Sequence, residues 1–372
     1  MMSDYDHRVT FHKIMFMVKY KLLVLSFLVF CKFSFAQETR HFKIFQFPAN
    51  MIPRIDGDKS DWDMVPDSFA IGSDQLVDDN HHFPTPDPKN IDVKVKVGWV
   101  KGMNRLYFLY EAYDNYWDFS LPGLHNDIFE VAVDGDRSGG PFIDELHPNP
   151  DKDRWEAYFD FHGVQAQNYH IFTPAEGKDW TMVWGSQPWI KDLPYANAAY
   201  NYNFKPGDSG RLVLEFFITP FDYAGNEPSR SIESNLYENK IISMSWAVID
   251  YDDVNDMKKQ GFWNLSRQHK MYGNASYHLP FTLMPLDSRF KKKIDAQWSF
   301  KVVDMKRRLV AFIDESEGKI TSWKWDFGDK TTSTEQHPIH QYKDAGKYLV
   351  TLWIEGPDGK SRRSKLWDVA VK

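Results

Sequence analysis

Two all-β domains, each a β-sandwich, are what this sequence predicts, and three observations carry the prediction. Runs rich in Val, Ile, Phe and Tyr recur along the chain, separated by clusters of Gly, Pro, Asn and Asp that end strands for backbone reasons. One of them, Asp92 to Val97 (DVKVKV), alternates polar and apolar residues strictly, as a strand with one buried face does. No stretch sustains a helical period, so the strands have only one another to pack against.

The chain opens on a leader. Lys19 and Lys21 precede the apolar run Leu22 to Phe30, and Ser34-Phe35-Ala36 places small residues where a signal peptidase reads them. Residues 1–36 are therefore expected to be a signal peptide cleaved before Gln37. The protein is expected to be secreted or periplasmic, or held at the cell surface. The apolar run is short for a bilayer span, and no later segment reaches about 18 apolar residues, so no membrane span is expected. Cys31 is the one cysteine and belongs to the leader, which removes disulfides, thiolate nucleophiles and cysteine-ligated metals from the mature chain. A formal net charge of −7 repels nucleic acid, which is excluded as a partner.

Further strand signals follow at Arg105 to Tyr113, Ile128 to Val133, Trp155 to Phe161, Arg211 to Ile218 and Ile241 to Ile249. Two connections, Ser73 to Asn90 and Asn168 to Pro206, are long enough to be functional loops. A basic stretch around Lys291 to Lys293 reads as a linker, and a second set of strand signals runs from Trp298 to the end. The domains are thus expected at residues 37–289 and 298–372, with 290–297 between them.

The chemistry is read first from aromatics. The chain holds 14 Trp, and an indole N–H needs a partner when buried, so a surplus points to exposed planes on which sugar rings lie. Trp180, Trp184 and Trp189 cluster in the second long connection and read as a loop platform, with Tyr195, Tyr200 and Tyr202 just beyond. Trp62, Trp99 and Trp246 read as core.

A second signal is oxygen ligands. Asp134, Asp136 and Ser138, then Gly139 and Glu145, match the spacing of a calcium loop, with hard oxygens at alternate positions and a closing carboxylate. The acidic run Asp250 to Asp256 reads as a solvated loop. No nucleophile elbow, zinc-protease motif, P-loop or dinucleotide fingerprint is present, and no catalytic residue is assigned. The alternative is a polysaccharide-degrading enzyme. A glycoside hydrolase would draw on Glu130, Glu156, Asp160 or Glu215, and a lyase on Tyr158 with His162.

Two resemblances sharpen these expectations. Lys324 to Asp329 (KWDFGD), then Thr331-Thr332-Ser333, His337-Pro338, His340-Gln341-Tyr342, Gly346-Lys347-Tyr348 and Val350-Thr351-Leu352, resemble a PKD domain over residues 298 to 372. Lys330 stands where that family usually has Gly. Tyr342 is expected in a corner role of the kind immunoglobulin-type sandwiches use. Ile55-Asp56-Gly57 with Trp62, Val97-Gly98-Trp99, Leu106 to Asp114, Asp127 to Asp134 and Leu214-Glu215-Phe216 to Pro220 resemble, in order, a family 9 carbohydrate-binding module of DOMON-like type over residues 44 to 285.

That second resemblance implies a sugar site with two stacking tryptophans and polar readers. It places Glu130 at the sugar-contacting glutamate and Asp127 at the acid three residues before it. The stacking positions fall on Leu124 and near Ser266, with Trp117 and Trp263 as the nearest substitutes. It also implies structural Ca2+ and, from the DOMON-like relatives, a haem option on Met244 with His170 or His278. Together these readings predict a non-catalytic protein that binds polysaccharide or oligosaccharide of plant or algal cell walls. They predict that it works beside glycan-degrading enzymes.

Overall fold

The computed structural model describes residues 40–121, 123–141, 153, 162–252, 260–291 and 293–369. The expected signal peptide, the strand Trp155 to Phe161 with Glu156, Tyr158 and Asp160, and Glu145 lie outside the described residues. The chain divides into two compact units, Met1–Leu286 and Asp287–Lys372. Among the described residues the elements are strands and short 3-10 turns, as the alternating patterns predict.

The first unit is built from β1 (Phe42–Phe47), β2 (Ile71–Gly72), β3 (Val77–Asp78), β4 (Ile91–Val100), β5 (Leu106–Asp114), β6 (Ile128–Asp134), β7 (Gln167–Phe172), β8 (Thr181–Val183), β9 (Ala196–Asn201), β10 (Gly210–Ile218), β11 (Phe221–Tyr223), β12 (Ile232–Glu233), β13 (Ile241–Tyr251), β14 (Gln260–Asn264) and β15 (Leu279–Leu283). One sheet runs β8-β7-β6-β13-β15 and the other β4-β5-β10-β9. Strand β1 belongs to both: Phe42 to Ile44 pair in parallel with β15, and Phe45 to Phe47 pair in parallel with β4. The stretch Asn168 to Pro206 is therefore not a loop. It contributes most of β7 and all of β8 and β9, whose short runs carry too few apolar residues to stand out by composition.

The two sheets bury alternate residues against each other. Leu106, Phe108, Tyr110 and Ala112 of β5 face Phe129, Val131 and Val133 of β6 and Ile242, Met244, Trp246 and Val248 of β13 within one core. Tyr110 stacks on Phe129 at 4.4 Å, and Phe129 meets Phe216 edge-on at 6.2 Å. One buried carboxylate joins two of the sequence signatures: Glu215 of β10 accepts from the Trp62 indole at 2.9 Å and from the Gly57 amide at 2.8 Å. Gly57 has φ +82°, and a Cβ there would meet the Tyr200 carbonyl at 3.0 Å, so only glycine fits this turn. As a hydrolase acid, Glu215 is corrected: it anchors the N-terminal turn.

The expectation that tryptophan builds exposed planes is corrected for much of the chain. Trp117, Trp263, Trp298 and Trp325 are enclosed, and Trp62, Trp99 and Trp246 are enclosed as the core reading expects. Backbone carbonyls supply acceptors for four of these indoles. Trp99 donates to the Met284 carbonyl, Trp117 to Gly210, Trp298 to Arg363 and Trp325 to Glu335, each at 2.9–3.1 Å.

The second unit comprises β16 (Trp298–Asp304), β17 (Leu309–Asp314), β18 (Ser322–Asp326), β19 (Thr332–Ser333), β20 (Ile339–Gln341), β21 (Gly346–Gly356) and β22 (Gly359–Val369). Sheets β16-β17-β20 and β19-β18-β21-β22 enclose Trp298, Phe312, Trp325, Phe327, Tyr342 and Leu352. Trp298 and Phe312 of the first sheet both contact Trp325 of the second, at 5.7 and 5.6 Å. The Tyr342 hydroxyl donates to the Phe327 carbonyl at 3.1 Å. Lys330 adopts φ +72°, the left-handed region where glycine is at ease.

Candidate functional site

The candidate site lies on the outer face of the β8-β7-β6-β13 sheet. Alternation along β6 sends Ile128, Glu130 and Ala132 to this face and Phe129, Val131 and Val133 into the core. Register then aligns a row across the sheet: Ala247 of β13 opposite Glu130, Glu130 opposite His170, and His170 opposite Met182 of β8. The next row sets Ser245 opposite Ala132 and Ala132 opposite Asn168.

Glu130 is the centre of this face. It is 2% exposed, accepts from the Asn168 amide at 2.8 Å, and lies 3.4 Å from the His170 imidazole. Asn168 also donates to the Tyr272 carbonyl at 3.1 Å, which ties the short turn His269–Tyr272 to the sheet. Met271 and Ala275 pack on the same face with Ile128, Ala132, Ala247, Ile249 and Phe262, while the Tyr272 ring stays 39% exposed at its rim. His162 is enclosed, and burial, helped by His170, pulls its pKa down to about 4. It is neutral near pH 7, and its lyase partner Tyr158 lies outside the described residues.

The other predicted sugar contacts distribute differently. Asp127 faces inward, accepting from the Asp118 amide at 2.7 Å and the Tyr251 amide at 2.8 Å, because three residues along a strand reverses the face. Trp117 stacks on Phe204 at 4.9 Å inside the core, and Trp263 stacks on Phe83 at 5.8 Å. Neither presents a free ring face, and both are corrected as sugar platforms. Leu124, at the first stacking position, does pack against the outer face but is not aromatic. Ser266, at the second, bonds to Asn264.

The loop platform is likewise corrected in part. Trp180 leans on Tyr169 and Phe216 and donates to the Lys191 carbonyl at 3.0 Å, and Trp189 donates to the Gly225 carbonyl at 3.1 Å. Both are satellites of the core. Trp184 is half-buried and directly follows β8. Asn168 and Tyr272 were missed by sequence reasoning, and His170 was read only as a haem ligand. The polar–apolar alternation Asn168-Tyr169-His170-Ile171 was the available signal, but it says nothing about which strand lies alongside.

Among the calcium-loop residues, Asp134 is buried and accepts from the Gly139 amide at 2.9 Å, the Ser138 amide at 3.3 Å and the Ser243 hydroxyl at 3.3 Å. Burial pushes its carboxyl up to about 6. Asp136 and Ser138 are exposed, and the Asp136 carboxylate accepts from the Ser138 amide at 2.9 Å. The turn closes on its own backbone. The haem option is also corrected, since Met244 is a core residue of β13 and the His278 ring bonds the Met271 carbonyl at 3.0 Å.

The family model for the PKD domain matches residues 306–371. Collagenase ColQ1 of Bacillus cereus (strain Q1) is 45% identical over 51 residues, 14% of this chain and 5% of that protein. Pre-pro-metalloprotease PrtV of Vibrio cholerae serotype O1 is 47% identical over 47 residues, 13% of this chain and 5% of that protein. The chain thus spans about 5% of the length of these relatives. Among solved structures, a carbohydrate-binding module of family 9 from Caldicellulosiruptor kristjanssonii in complex with cellotriose matches with TM-score 0.43 and 13% identity, covering 68% of this chain and 97% of that one. The PKD1 domain of the Vibrio cholerae metalloprotease PrtV matches with TM-score 0.19 and 32% identity, covering 20% of this chain and 94% of that one. No helix among the described residues is long and apolar enough to cross a membrane.

Proposed function

We propose that this is a secreted, non-catalytic carbohydrate-binding protein whose ligand is read on the outer face around Glu130. The observation that carries the reading is the Glu130–Asn168–His170 group, a carboxylate, a carboxamide and an imidazole converging within hydrogen-bonding reach on one sheet face. Sugar hydroxyls both donate and accept, and such a set answers both. The exposed Tyr272 ring beside it offers a surface for the apolar face of a pyranose. Trp184 directly follows β8, two residues beyond Met182 of this face.

The ligand class is plant or algal cell-wall polysaccharide, in the company of glycan-degrading enzymes. Affinity electrophoresis through gels containing such polysaccharides, run beside reducing-sugar and lyase assays, tests the proposal. Retardation without product is expected, weakened tenfold or more in Tyr272→Ala and in Trp184→Ala. Product formation by the wild type, or retardation unchanged in both variants, would overturn it.

A further inference from the structure

The inward rows of three strands end in acid. On β5 the core residues Phe108, Tyr110 and Ala112 are followed on the same face by Asp114. On β13, Met244, Trp246 and Val248 are followed by Asp250 and then Asp252, and on β6 Phe129 is preceded by Asp127. The strands run so that all these ends meet at one end of the sandwich, between the two sheets. Asp114, Asp250 and Asp252 each offer a carboxylate oxygen within 4.8 Å of the others.

These carboxylates are enclosed and underprovided. Asp114 and Asp250 are 0% exposed and Asp127 is 2% exposed. The Tyr116 amide satisfies one oxygen of Asp114 and the Asn90 amide one of Asp250, both at 2.9 Å. Oδ2 of Asp114 is buried without a hydrogen-bond partner, and the Trp263 indole is the other side-chain donor beside Asp250. Among the described residues no Lys, Arg or His pairs with Asp114, Asp127 or Asp250. Like charges this close in a dry interior repel strongly, and each enclosed carboxylate loses several kcal/mol of hydration.

We infer that the Asp114–Asp250–Asp252 cluster, backed by Asp127, is a binding site for one hard divalent cation, with calcium the best-fitting ion. Only oxygen donors converge there, which suits calcium and disfavours ions that favour nitrogen or sulfur. The cation would tie β5 of one sheet to β6 and β13 of the other. It would stand at the opposite end of β6 from Asp134, at the start of the acidic run read from sequence as solvated. The inference stands apart from the carbohydrate reading, because its readout is the stability of the first unit.

Thermal unfolding of the full chain, in chelator and then in calcium at constant ionic strength, tests it. Calcium at about a hundredfold excess over its Kd should raise the melting of the first unit by roughly 5 °C or more. Asp250→Asn and Asp114→Asn should lose that shift. They should also melt above the wild type in chelator, because one repelling charge is gone, and below it in calcium. Asp252→Asn, at the half-buried rim, gives the same readout should the interior variants fail to fold. Asp134→Asn should keep the calcium shift. No shift and no heat of binding with calcium would overturn the inference, as would a shift lost in Asp134→Asn and kept in the other variants. A cluster neutralised by protons would show itself by melting higher on acidification and ignoring calcium.

Discussion

Glu130 and Asp127, three residues apart at the start of one strand, face opposite sides of the same sheet. Glu130 meets Asn168 and His170 on the outer face, while Asp127 meets the backbone amides of Asp118 and Tyr251 between the sheets. A pleated strand reverses its side chains at every residue, so a motif that pairs acids at this spacing serves two separate environments.

The split predicts separable phenotypes. Glu130→Gln keeps the Asn168 contact in shape but removes the charge, and should weaken polysaccharide binding about tenfold, as loss of a charge-assisted hydrogen bond does. Asp127→Asn should leave affinity unchanged and alter only the melting temperature. Paired affinity electrophoresis and thermal melts of the two variants check this.

Glu215 is the keystone of the N-terminal turn. Glu215→Ala leaves the Trp62 indole and the Gly57 amide without their acceptor in a buried place. Each orphaned donor costs about 1–3 kcal/mol, so the first unit should lose about 2–5 kcal/mol in urea unfolding. Glu215→Gln retains one acceptor oxygen and should lose less.

His278 makes the first unit acid-sensitive. Burial holds its pKa down to about 4, against 6.5 in a solvated chain. The folded state prefers the neutral ring, so the stability it contributes is complete above pH 6.5. That stability falls between pH 6.5 and 4 as the unfolded chain takes the proton, by at most about 3 kcal/mol. His278→Gln should reduce the fall in urea-unfolding stability across that interval, leaving the part that His162, also held down to about 4, supplies.

Lys330 gives the second unit a removable strain. A side chain at φ +72° costs about 1 kcal/mol that glycine avoids. Lys330→Gly should therefore raise the melting temperature of that unit by roughly 5 °C, visible in calorimetry as movement of one transition.

Much of this molecule was legible from local pattern. Strict alternation in Asp92 to Val97, the apolar runs of β5, β6, β10 and β13, and the KWDFGD turn are short-range facts, since a strand's period and a turn's φ are set within a few residues. Glu130 stands out through the resemblance of its strand to that of a family 9 module. What could not be read was the company each residue keeps. Enclosure of Trp117 depends on Phe204, and that of Trp263 on Phe83, both far away in sequence. The partners of Glu130 come from a strand hidden in an apparent loop.

The sequence by itself thus determined the all-β character and the longer strands β4, β5, β6, β10 and β13, because these follow from the alternation of apolar and polar side chains. The tertiary structure alone decided which tryptophans are enclosed and which acids converge. Side chains meet through strand register and sheet stacking, and those pairings join residues a hundred or more positions apart, as Asp127 and the Tyr251 amide do.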